Sequence, residues 1–600
     1  MLKKRAEIEE RFKWKITDLY ETDAAWEADF AEVDCALHSF GRFSGALGDA
    51  RKLSECLALR DAVFHKAERL AVYAAMKLHE DGSDSRYQGL SGRGETLLAK
   101  LAAAAAFIEP EILAIDSGDE NAIEDMIGKN PALATYRHFL DDLARKRAHV
   151  LSPELEQLIA SSAEVLGAAE NIYAMLNDTD LKFGPITDKN GVETELTHAN
   201  YASFMEDEDR AVRESAYNSL YKAYGSLINT IAAAFDANAK SDVFQSRARR
   251  YGSALECALS DGNISTSVYM NLLSAVHEFL PQLHRYIKLR KRLMGVDELR
   301  PYDLYANIIE SVDTKVLYSD ACEEVLRSLV PLGDDYVSAV RSAFGNGWID
   351  VYENECKRSG AYAWGVSGCH PFVLLNYENR ISDMFTVAHE MGHAMHSDYT
   401  WGVQPYIYSD HTIFTAEVAS TVNESLLMRH MLNTARDPQM RKYLVYFFLE
   451  QFRGTVFRQA MFAEFELMTH QLVEDGETLT VRTLNGLYRG LFEKYMGDAV
   501  AADGLIELEW ARIPHFYNAF YVYQYATGFS AAIALSNRIL EQGRPAVLKY
   551  IEFLKSGTSD YSLNLLRNAG VDMESPEPVR SALEMFSGLL DELEAICGAK

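Results

Sequence analysis

Apolar residues recur every three or four positions along most of the chain, which predicts a mainly helical protein. Two clear examples are LSPELEQLIASSAEVLGAAENIYAML, from Leu151, and SVYMNLLSAVHEFLPQLHRYIKLRKRLM, from Ser267. In the first segment, Ser152 suits the N-cap of a helix and Pro153 suits its first turn. The chain has only 14 prolines in 600 residues, which also favours long helices.

Two segments interrupt this helical pattern. Leu181–Leu196 alternates apolar and polar residues around a Lys-Asn-Gly turn at 189–191, which predicts a β-hairpin. Ser359–Arg380 is rich in glycine, aromatic and β-branched residues, and it predicts short strands and turns before the next helix. Because the helical pattern stops at the hairpin, we predict a helical N-terminal lobe of residues 1–190 and a larger domain of residues 191–600.

Charge, hydropathy and cysteine usage exclude several classes of protein. The formal net charge of −29 repels polyanions, so no nucleic-acid partner is expected. No apolar run follows the basic start MLKKR, and the longest apolar stretch, Leu98–Pro110, is too short to cross a bilayer. We expect a cytoplasmic protein that binds no membrane. The seven cysteines form no C-x-x-C pair, so neither a disulfide framework nor a thiolate zinc site is expected.

The candidate chemistry lies in TVAHEMGHAMHSDYT, which contains the pattern His389-Glu390-x-x-His393. Residues four apart lie on one face of a helix, so the two imidazoles converge on one zinc ion. Glu390 lies beside the metal, where it is able to accept a proton from a zinc-activated water and deliver it to a leaving amine. Gly392 leaves this helix without a bulky side chain at one position. The pattern predicts a metal site that performs chemistry.

The third metal ligand is not fixed by this motif. His396 lies seven residues after the first histidine, but seven residues advance a helix by about 10.5 Å, whereas a zinc–nitrogen bond measures about 2.0–2.1 Å. The ligand is therefore expected on another helix, where Glu417 and Glu424 lie seven residues apart on a similar face. Spacing favours Glu417 over Glu424. His396 and Glu424 stay as alternative ligands or as groups that orient a ligand, a role that also suits Asp383.

A second candidate segment, RIPHFYNAFYVYQYATG, contains His515 and four tyrosines. Taken as one helix, Tyr517, Tyr521 and Tyr525 share a stripe at four-residue spacing, while Tyr523 points elsewhere. Peptide hydrolysis creates an oxyanion, which an imidazole or a tyrosine hydroxyl is able to stabilise. The segment therefore has two interpretations, an aromatic packing face or a set of donors to a substrate.

Several segments resemble the oligoendopeptidase F branch of the thimet oligopeptidase family of zinc metallopeptidases. They include FKWKITDLYETDAAWEADF, KRSGAYAWG, HPFVLLNYENRISDMFTVAHEMGHAMHS, FTAEVASTVNE, RIPHFYNAFYVYQYATG and LKSGTSDYSLNLLRNAGVDM, and they run nearly from end to end of the chain. Together they are far more specific than the histidine motif alone.

This resemblance implies a fold and a metal. The fold would be mainly α and two-lobed, with a small β-sheet beside the active-site helix and a deep substrate channel. The strand HPFVLLNY would pair with an extended substrate by backbone hydrogen bonds. Residues 191–600 would form the zinc peptidase domain, with one zinc ion per chain held by His389, His393 and Glu417.

The resemblance also implies roles and an activity. Glu390 would be the general base, His515 and Tyr521 would be catalytic, and Tyr517 and Tyr525 would bind substrate. The expected activity is zinc-dependent endopeptidase hydrolysis of internal bonds in short to medium unfolded oligopeptides. One alternative is an exopeptidase similar to dipeptidyl carboxypeptidases on the same scaffold. Another is a helical binding protein with a structural zinc, which the catalytic glutamate and an open coordination position disfavour.

Overall fold

The computed structural model describes residues 2–115, 122–188, 190–309 and 315–598, and the protein is 73% helical. The first thirteen helices are α1 Asp23–Ala36, α2 Ala50–Glu80, α3 Ser85–Ala105, α4 Ile108–Ile115, α5 Ala122–Lys129, α6 Arg137–Lys146, α7 Pro153–Ser161, α8 Ala163–Leu166, α9 Ala168–Ala174, α10 His198–Met205, α11 Arg210–Ala248, α12 Ala254–Ser260 and α13 Thr266–Met294. The others are α14 Tyr318–Ser328, α15 Asp334–Gly345, α16 Ile381–Trp401, α17 Ile413–Thr434, α18 Pro438–Phe452, α19 Arg458–Glu474, α20 Val481–Met496, α21 Tyr523–Gln542, α22 Arg544–Leu554, α23 Ser562–Ala569 and α24 Glu577–Ile596.

The strands are few and short, as the mainly α prediction requires. They are β1 Pro185–Thr187, β2 Glu193–Glu195, β3 Ile349–Asp350, β4 Tyr362–Trp364 and β5 Phe372–Leu374. Within the described residues, none of the helices has the length and apolar character needed to cross a membrane.

The chain forms two compact units, each assembled from three separate segments. The first unit comprises Met1–Ala148, Thr314–His430 and Leu535–Val571. The second unit comprises His149–Asp313, Met431–Ala534 and Asp572–Lys600. The division at residues 190/191 stays a prediction about sequence domains.

The core of the first unit forms around α2 and α3, which pack along each other. Asp49 caps α2 by accepting hydrogen bonds from two backbone N–H groups, which fixes where this 31-residue helix begins. Trp26 is fully buried, and its indole N–H donates to the carbonyl of Leu70 at 2.9 Å. At Gly94 a Cβ would lie 3.2 Å from Ala71 Cα, so the glycine permits the close approach of α3 to α2.

A three-stranded sheet lies in the first unit just before α16 in sequence. Its order is β3–β5–β4, with β3 parallel and β4 antiparallel to β5. The ammonium of Lys357 is fully buried and links β3 to the segments that follow β3 and β5. It pairs with Asp350 at 2.7 Å and donates to the carbonyls of Tyr352 and Leu375 at 2.7 and 2.5 Å. A buried charge is stable only when it is paired and hydrogen-bonded in this way.

The position of β5 corrects one expectation from the sequence. The segment HPFVLLNY contains β5, which has β3 on one side and β4 on the other, so its backbone hydrogen bonds are already used. Within the described part of the chain, β3 and β4 are the edge strands of this sheet, and β4 (Tyr362–Trp364) is the edge strand whose residues line a cavity. An added peptide strand therefore has to pair with an edge strand, such as β4, and not with β5.

The second unit confirms some helix predictions and corrects one. The helix predicted from Ser267 is α13, and the hairpin predicted at Leu181–Leu196 is β1–β2; Lys189 of its turn lies outside the described residues. The helix predicted from Leu151 is instead three short helices, α7 to α9. They are separated at Ser162 and Gly167, where side-chain bonding to the preceding turn and a missing Cβ weaken the helix.

Candidate metal centre

Helix α16 carries the histidine pair and begins at a side-chain cap. The Asp383 carboxylate accepts the backbone N–H groups of Glu378 and Arg380 at 2.8 and 2.9 Å. Asp383 thus holds the start of the helix, and it is not the carboxylate that contacts a metal-site histidine. The negative charge also lies at the positive end of the helix dipole.

Three side-chain atoms from α16 and α17 converge on one point. His389 Nε2 lies 3.2 Å from His393 Nε2 and 3.3 Å from Glu417 Oε2, and His393 Nε2 lies 3.4 Å from the same oxygen. At bond lengths of about 2.0–2.1 Å, three donors of a tetrahedral zinc ion lie about 3.3–3.4 Å apart. The three atoms therefore have the spacing that a zinc ion needs, and they could hold a metal ion.

Gly392 explains how α17 comes close enough to α16. A Cβ at this position would lie 2.5 Å from Ser420 Cα, 2.6 Å from Ala419 O and 2.8 Å from Ser420 N. All three atoms belong to the backbone of α17, which does not yield as a flexible side chain does. The contact is supported by Asn423, whose amide donates to Ala388 O at 3.2 Å and whose oxygen accepts from Tyr336.

Two further side chains orient the convergent group. Glu424 Oε1 lies 2.7 Å from His389 Nδ1, which directs the other ring nitrogen toward Glu417. Ser420 Oγ lies 3.1 Å from Glu417 Oε2. Sequence spacing left Glu417 and Glu424 as competitors; the structure places Glu417 with both histidines and Glu424 behind one of them.

The charges of this group act on one another. Burial alone would lower the pKa of His389, but hydrogen bonds to Glu417 and Glu424 raise it well above its usual value. Burial opposes ionisation of Glu417, yet both imidazoles hold the pKa of its carboxyl well below its usual value. Concentrated carboxylate charge beside two imidazoles also favours a divalent cation.

Glu390 lies next to this group without being part of it. Its side chain is 6% exposed, and Oε2 makes no hydrogen bond within the described residues. Burial raises the pKa of this carboxyl, as does the charge of Glu417, while the neighbouring histidines lower it. A buried carboxylate oxygen without a protein partner suits a group whose partner is a water or a substrate.

His396 lies outside the convergent group. Its ring is 3% exposed and packs against His411 and Phe553, with ring centroids 3.7 and 5.3 Å away. Burial, together with the neighbouring His411, lowers its pKa well below the usual value, so the ring is neutral. This position follows from the rise of the helix, which carries His396 one turn beyond His393.

The group opens into a cavity of about 960 Å³ whose described lining belongs entirely to the first unit. The lining includes Glu390, the residues of β4 and the turn that follows it, and part of α2. Sequence reasoning did not place α2 here. Tyr406 donates to Glu68 of α2 at 2.9 Å, a contact between residues 338 positions apart, and no local sequence signal marks such a pair.

The second candidate segment belongs to the second unit and is not one helix. His515 lies in a 3-10 helix, Pro514–Tyr517, a loop follows, and α21 begins only at Tyr523. The assumption of one helical stripe is therefore wrong, because Phe520 adopts a left-handed conformation at φ 57° and ends the pattern.

The rings of this segment nevertheless lie in three separate places. His515 and Tyr521 have centroids 6.1 Å apart, and Tyr525 lies 5.5 Å from Tyr521. Tyr517 instead stacks on Tyr173 at 4.3 Å, with its hydroxyl buried. Tyr523 packs in the core against Tyr269, away from the other tyrosines as expected.

The helical fold and this site together define a class of protein. A helix with two histidines four residues apart, a buried glutamate beside them and a carboxylate from a second helix is the arrangement of HExxH metallohydrolases.

Comparisons with known proteins identify the family. The family described as Peptidase family M3 matches residues 203–585, and the one described as Oligopeptidase F matches residues 111–183. The chain belongs to peptidase family M3, which confirms the resemblance seen in its motifs. It is a metallopeptidase of a family that uses zinc.

Relatives match along nearly the whole chain. Oligopeptidase PepF of Bacillus subtilis (strain 168) is 43% identical over 593 residues, which cover 99% of this chain and 88% of that protein. Group B oligopeptidase PepB of Streptococcus agalactiae is 38% identical over 591 residues, or 98% of each chain. The crystal structure of oligoendopeptidase-F from Enterococcus faecium has a TM-score of 0.76 at 35% identity, covering 96% of this chain and 100% of that one.

The close approach at Gly392 is testable. We expect Gly392→Ala to force α17 away from α16, to destabilise the fold by about 1–3 kcal/mol and to weaken zinc binding. Calorimetry and zinc content per chain measure both effects. Gly92→Ala on α3 is the matched control, because a Cβ there meets nothing within 4 Å and alanine favours a helix. A Gly392→Ala protein with normal zinc and normal stability would contradict the packing argument.

The zinc content of two variants distinguishes the roles of Glu417 and Glu424 on α17. We expect Glu417→Ala to lose stoichiometric zinc on dialysis, because it removes one of three convergent donors. Glu424→Ala should keep zinc with an affinity about 10–100-fold weaker, because it only orients His389. Competition with a chromophoric chelator measures both affinities. The reverse pattern, with zinc retained by Glu417→Ala and lost from Glu424→Ala, would exchange the two assignments.

Proposed function

We propose that the protein is a zinc-dependent endopeptidase that hydrolyses internal peptide bonds of short to medium-length unfolded oligopeptides. The observation that carries this proposal is the convergence of one donor atom each from His389, His393 and Glu417, which lie within 3.4 Å of one another. Beside them lies the Glu390 carboxylate, whose Oε2 has no hydrogen-bond partner among the described residues. The names of the relatives, oligopeptidase and oligoendopeptidase, support the substrate class.

The three convergent atoms would hold the zinc ion. Glu424 would accept the Nδ1–H of His389, which fixes the tautomer that offers Nε2 to the metal. When bound, zinc supplies polarisation of the peptide carbonyl and lowers the pKa of water. The Glu417 side chain is 45% exposed, so this face of the group is open to the cavity.

Glu390 would carry the proton through the reaction. Its carboxylate accepts a proton from the attacking water while the water oxygen bonds to the carbonyl carbon. It then donates that proton to the amide nitrogen as the carbon–nitrogen bond breaks. The products are an amine and a carboxylic acid, and the acid proton passes to the amine to give an ammonium and a carboxylate. The raised pKa of Glu390 serves both halves of this cycle, because it makes the carboxylate a better base and keeps the proton available.

Substrate alignment would use β4 and the segment around His515. An extended peptide would pair with the open edge of β4, whose residues line the cavity. His515 and Tyr521 would donate to the developing oxyanion, with Tyr525 beside them for substrate contacts. The same role for Tyr517 stays a prediction, as do the deep channel and the cytoplasmic location.

Mapping of cleavage sites separates the endopeptidase from its two alternatives. An exopeptidase would release fragments from a peptide end, and a binding protein with a structural zinc would cleave nothing. We expect internal cleavage of a mixed peptide library, with free and amidated peptides cut at similar rates. Chelation should abolish cleavage and added zinc should restore it, because the histidine pair alone provides no nucleophile. A requirement for a free C-terminal carboxylate would favour the exopeptidase, and the absence of zinc-dependent hydrolysis would leave only a binding protein.

Glu390→Gln tests the proton carrier. We expect it to keep one zinc ion per chain and to lower kcat by about 10²–10⁴-fold, because an amide accepts no proton at neutral pH. A quenched fluorescent peptide measures kcat, and metal analysis measures zinc. Glu378→Gln, at an exposed glutamate just before α16, serves as the control and should keep full activity. Near-normal turnover by Glu390→Gln would refute the assignment.

A further inference from the structure

A second fully buried glutamate lies on α19 of the second unit, remote in sequence from the histidine motif. Glu466 has no exposed surface, and its Oε1 accepts the backbone N–H of Phe520 at 2.9 Å. Its Oε2 is buried and makes no hydrogen bond within the described residues. This carboxyl therefore has one protein partner, and that partner is the loop before α21.

Buried aromatic rings surround the loop residue that Glu466 contacts. Tyr269 and His470 contact the same loop residue, Phe520, with ring centroids 5.7 and 4.6 Å away. Burial raises the pKa of the Glu466 carboxyl well above its usual value. A buried carboxyl with a single hydrogen bond is unfavourable for stability, and an apolar side chain of similar volume would pack there at lower cost.

The hydrogen bond from Phe520 to Glu466 is made at a residue with a strained backbone conformation. Phe520 is a bulky, 98%-buried residue in the left-handed region, at φ 57°. No backbone carbonyl among the described residues accepts its N–H, so without Glu466 this buried donor would have no partner. Glu466 therefore supplies the acceptor for the Phe520 N–H at this turn.

The turn sets the direction of the next side chain. Tyr521 follows Phe520 directly, and its ring lies 6.1 Å from His515 and 5.5 Å from Tyr525. A change of Phe520 to the common right-handed or extended conformation would redirect the chain at Tyr521. The spacing of His515 and Tyr521 therefore depends on a hydrogen bond made from another helix.

We propose that Glu466 is a positioning residue, which holds Phe520 in its left-handed turn and thereby orients Tyr521 against His515. The proposal rests on the proposed function, in which His515 and Tyr521 act on the substrate. It explains why an unfavourable buried carboxyl occupies a core position, since polar groups of this kind are retained where function requires them.

Two substitutions at Glu466 separate acceptor chemistry from packing. Glu466→Gln keeps an oxygen that accepts from Phe520, whereas Glu466→Met keeps the volume and loses the acceptor. We expect Glu466→Met to lower kcat by about 10–100-fold with KM within about threefold, because misplaced groups lose transition-state contacts. Its melting temperature should change little, because relief of the buried carboxyl offsets the cost of the unpaired Phe520 N–H. Glu466→Gln should stay within about threefold of the parent kcat.

The matched control removes a carboxyl from the same helix. Glu464 pairs with Lys494 at 2.6 Å and accepts from Tyr495 at 3.0 Å, two positions before Glu466. Glu464→Met should lower the melting temperature and leave kcat unchanged. If Glu466→Met behaves as Glu464→Met does, Glu466 is purely structural and the proposal is overturned. Equal loss of kcat in Glu466→Gln and Glu466→Met would also overturn it.

Two further readouts distinguish failure of this proposal from failure of the proposed function. Hydrogen exchange at the Phe520 amide should be faster in Glu466→Met than in the parent and Glu466→Gln proteins; unchanged exchange overturns the proposal. Tyr521→Phe tests the function directly and should lower kcat. In the Tyr521→Phe background, Glu466→Met should add little, because both changes remove the same contribution. If Tyr521→Phe keeps full activity while Glu466→Met does not, the function assigned to Tyr521 fails and Glu466 acts by another route.

Discussion

The site depends on the contact of two helix backbones at Gly392. Because α17 passes within 2.5 Å of the place where a Cβ would stand, Glu417 reaches the two histidines of α16. The contact explains why a glycine, which weakens a helix, lies between two histidines that require a helix to converge. The glycine lowers the stability of α16 at this turn. In return, the close contact of the two helices brings the three donor atoms to about 3.3 Å from one another, the spacing of a zinc site.

Two buried glutamates show opposite uses of the same side chain. In the part of the chain that the structure describes, Glu390 and Glu466 each have one buried oxygen without a hydrogen-bond partner, and burial raises the pKa of each. Glu390 lines the cavity beside the metal-binding group, where a water molecule is its natural partner. Glu466 lies in the core, and among the described residues its carboxyl accepts a hydrogen bond from the Phe520 amide alone. The role of each glutamate therefore depends on whether its Oε2 atom faces the cavity or the protein core.

The sequence predicted those features that short spacing determines. Helix α13, the hairpin and the pairing of His389 with His393 depend on residues a few positions apart, and helix rise placed His396 away from the pair. The structure was needed wherever distant segments meet. Sequence could not show that β5 is a central strand, because its neighbours are set by pairing across the sheet. Nor could it show the bend at Phe520, since the hydrogen bond that fixes it comes from a residue 54 positions away.

The interleaved segments of the first unit have a consequence for the order of folding. Thr400, near the end of α16, donates to the carbonyl of Leu554 at the end of α22, and Gln404 donates to Lys555 beside it. During synthesis, the metal-binding helix therefore lacks part of its packing until these late residues have left the ribosome. A polypeptide interrupted before them would contain the complete histidine motif and still lack the scaffold around it. Completion of the active site is thus coupled to translation of residues about 150 positions beyond the histidine motif.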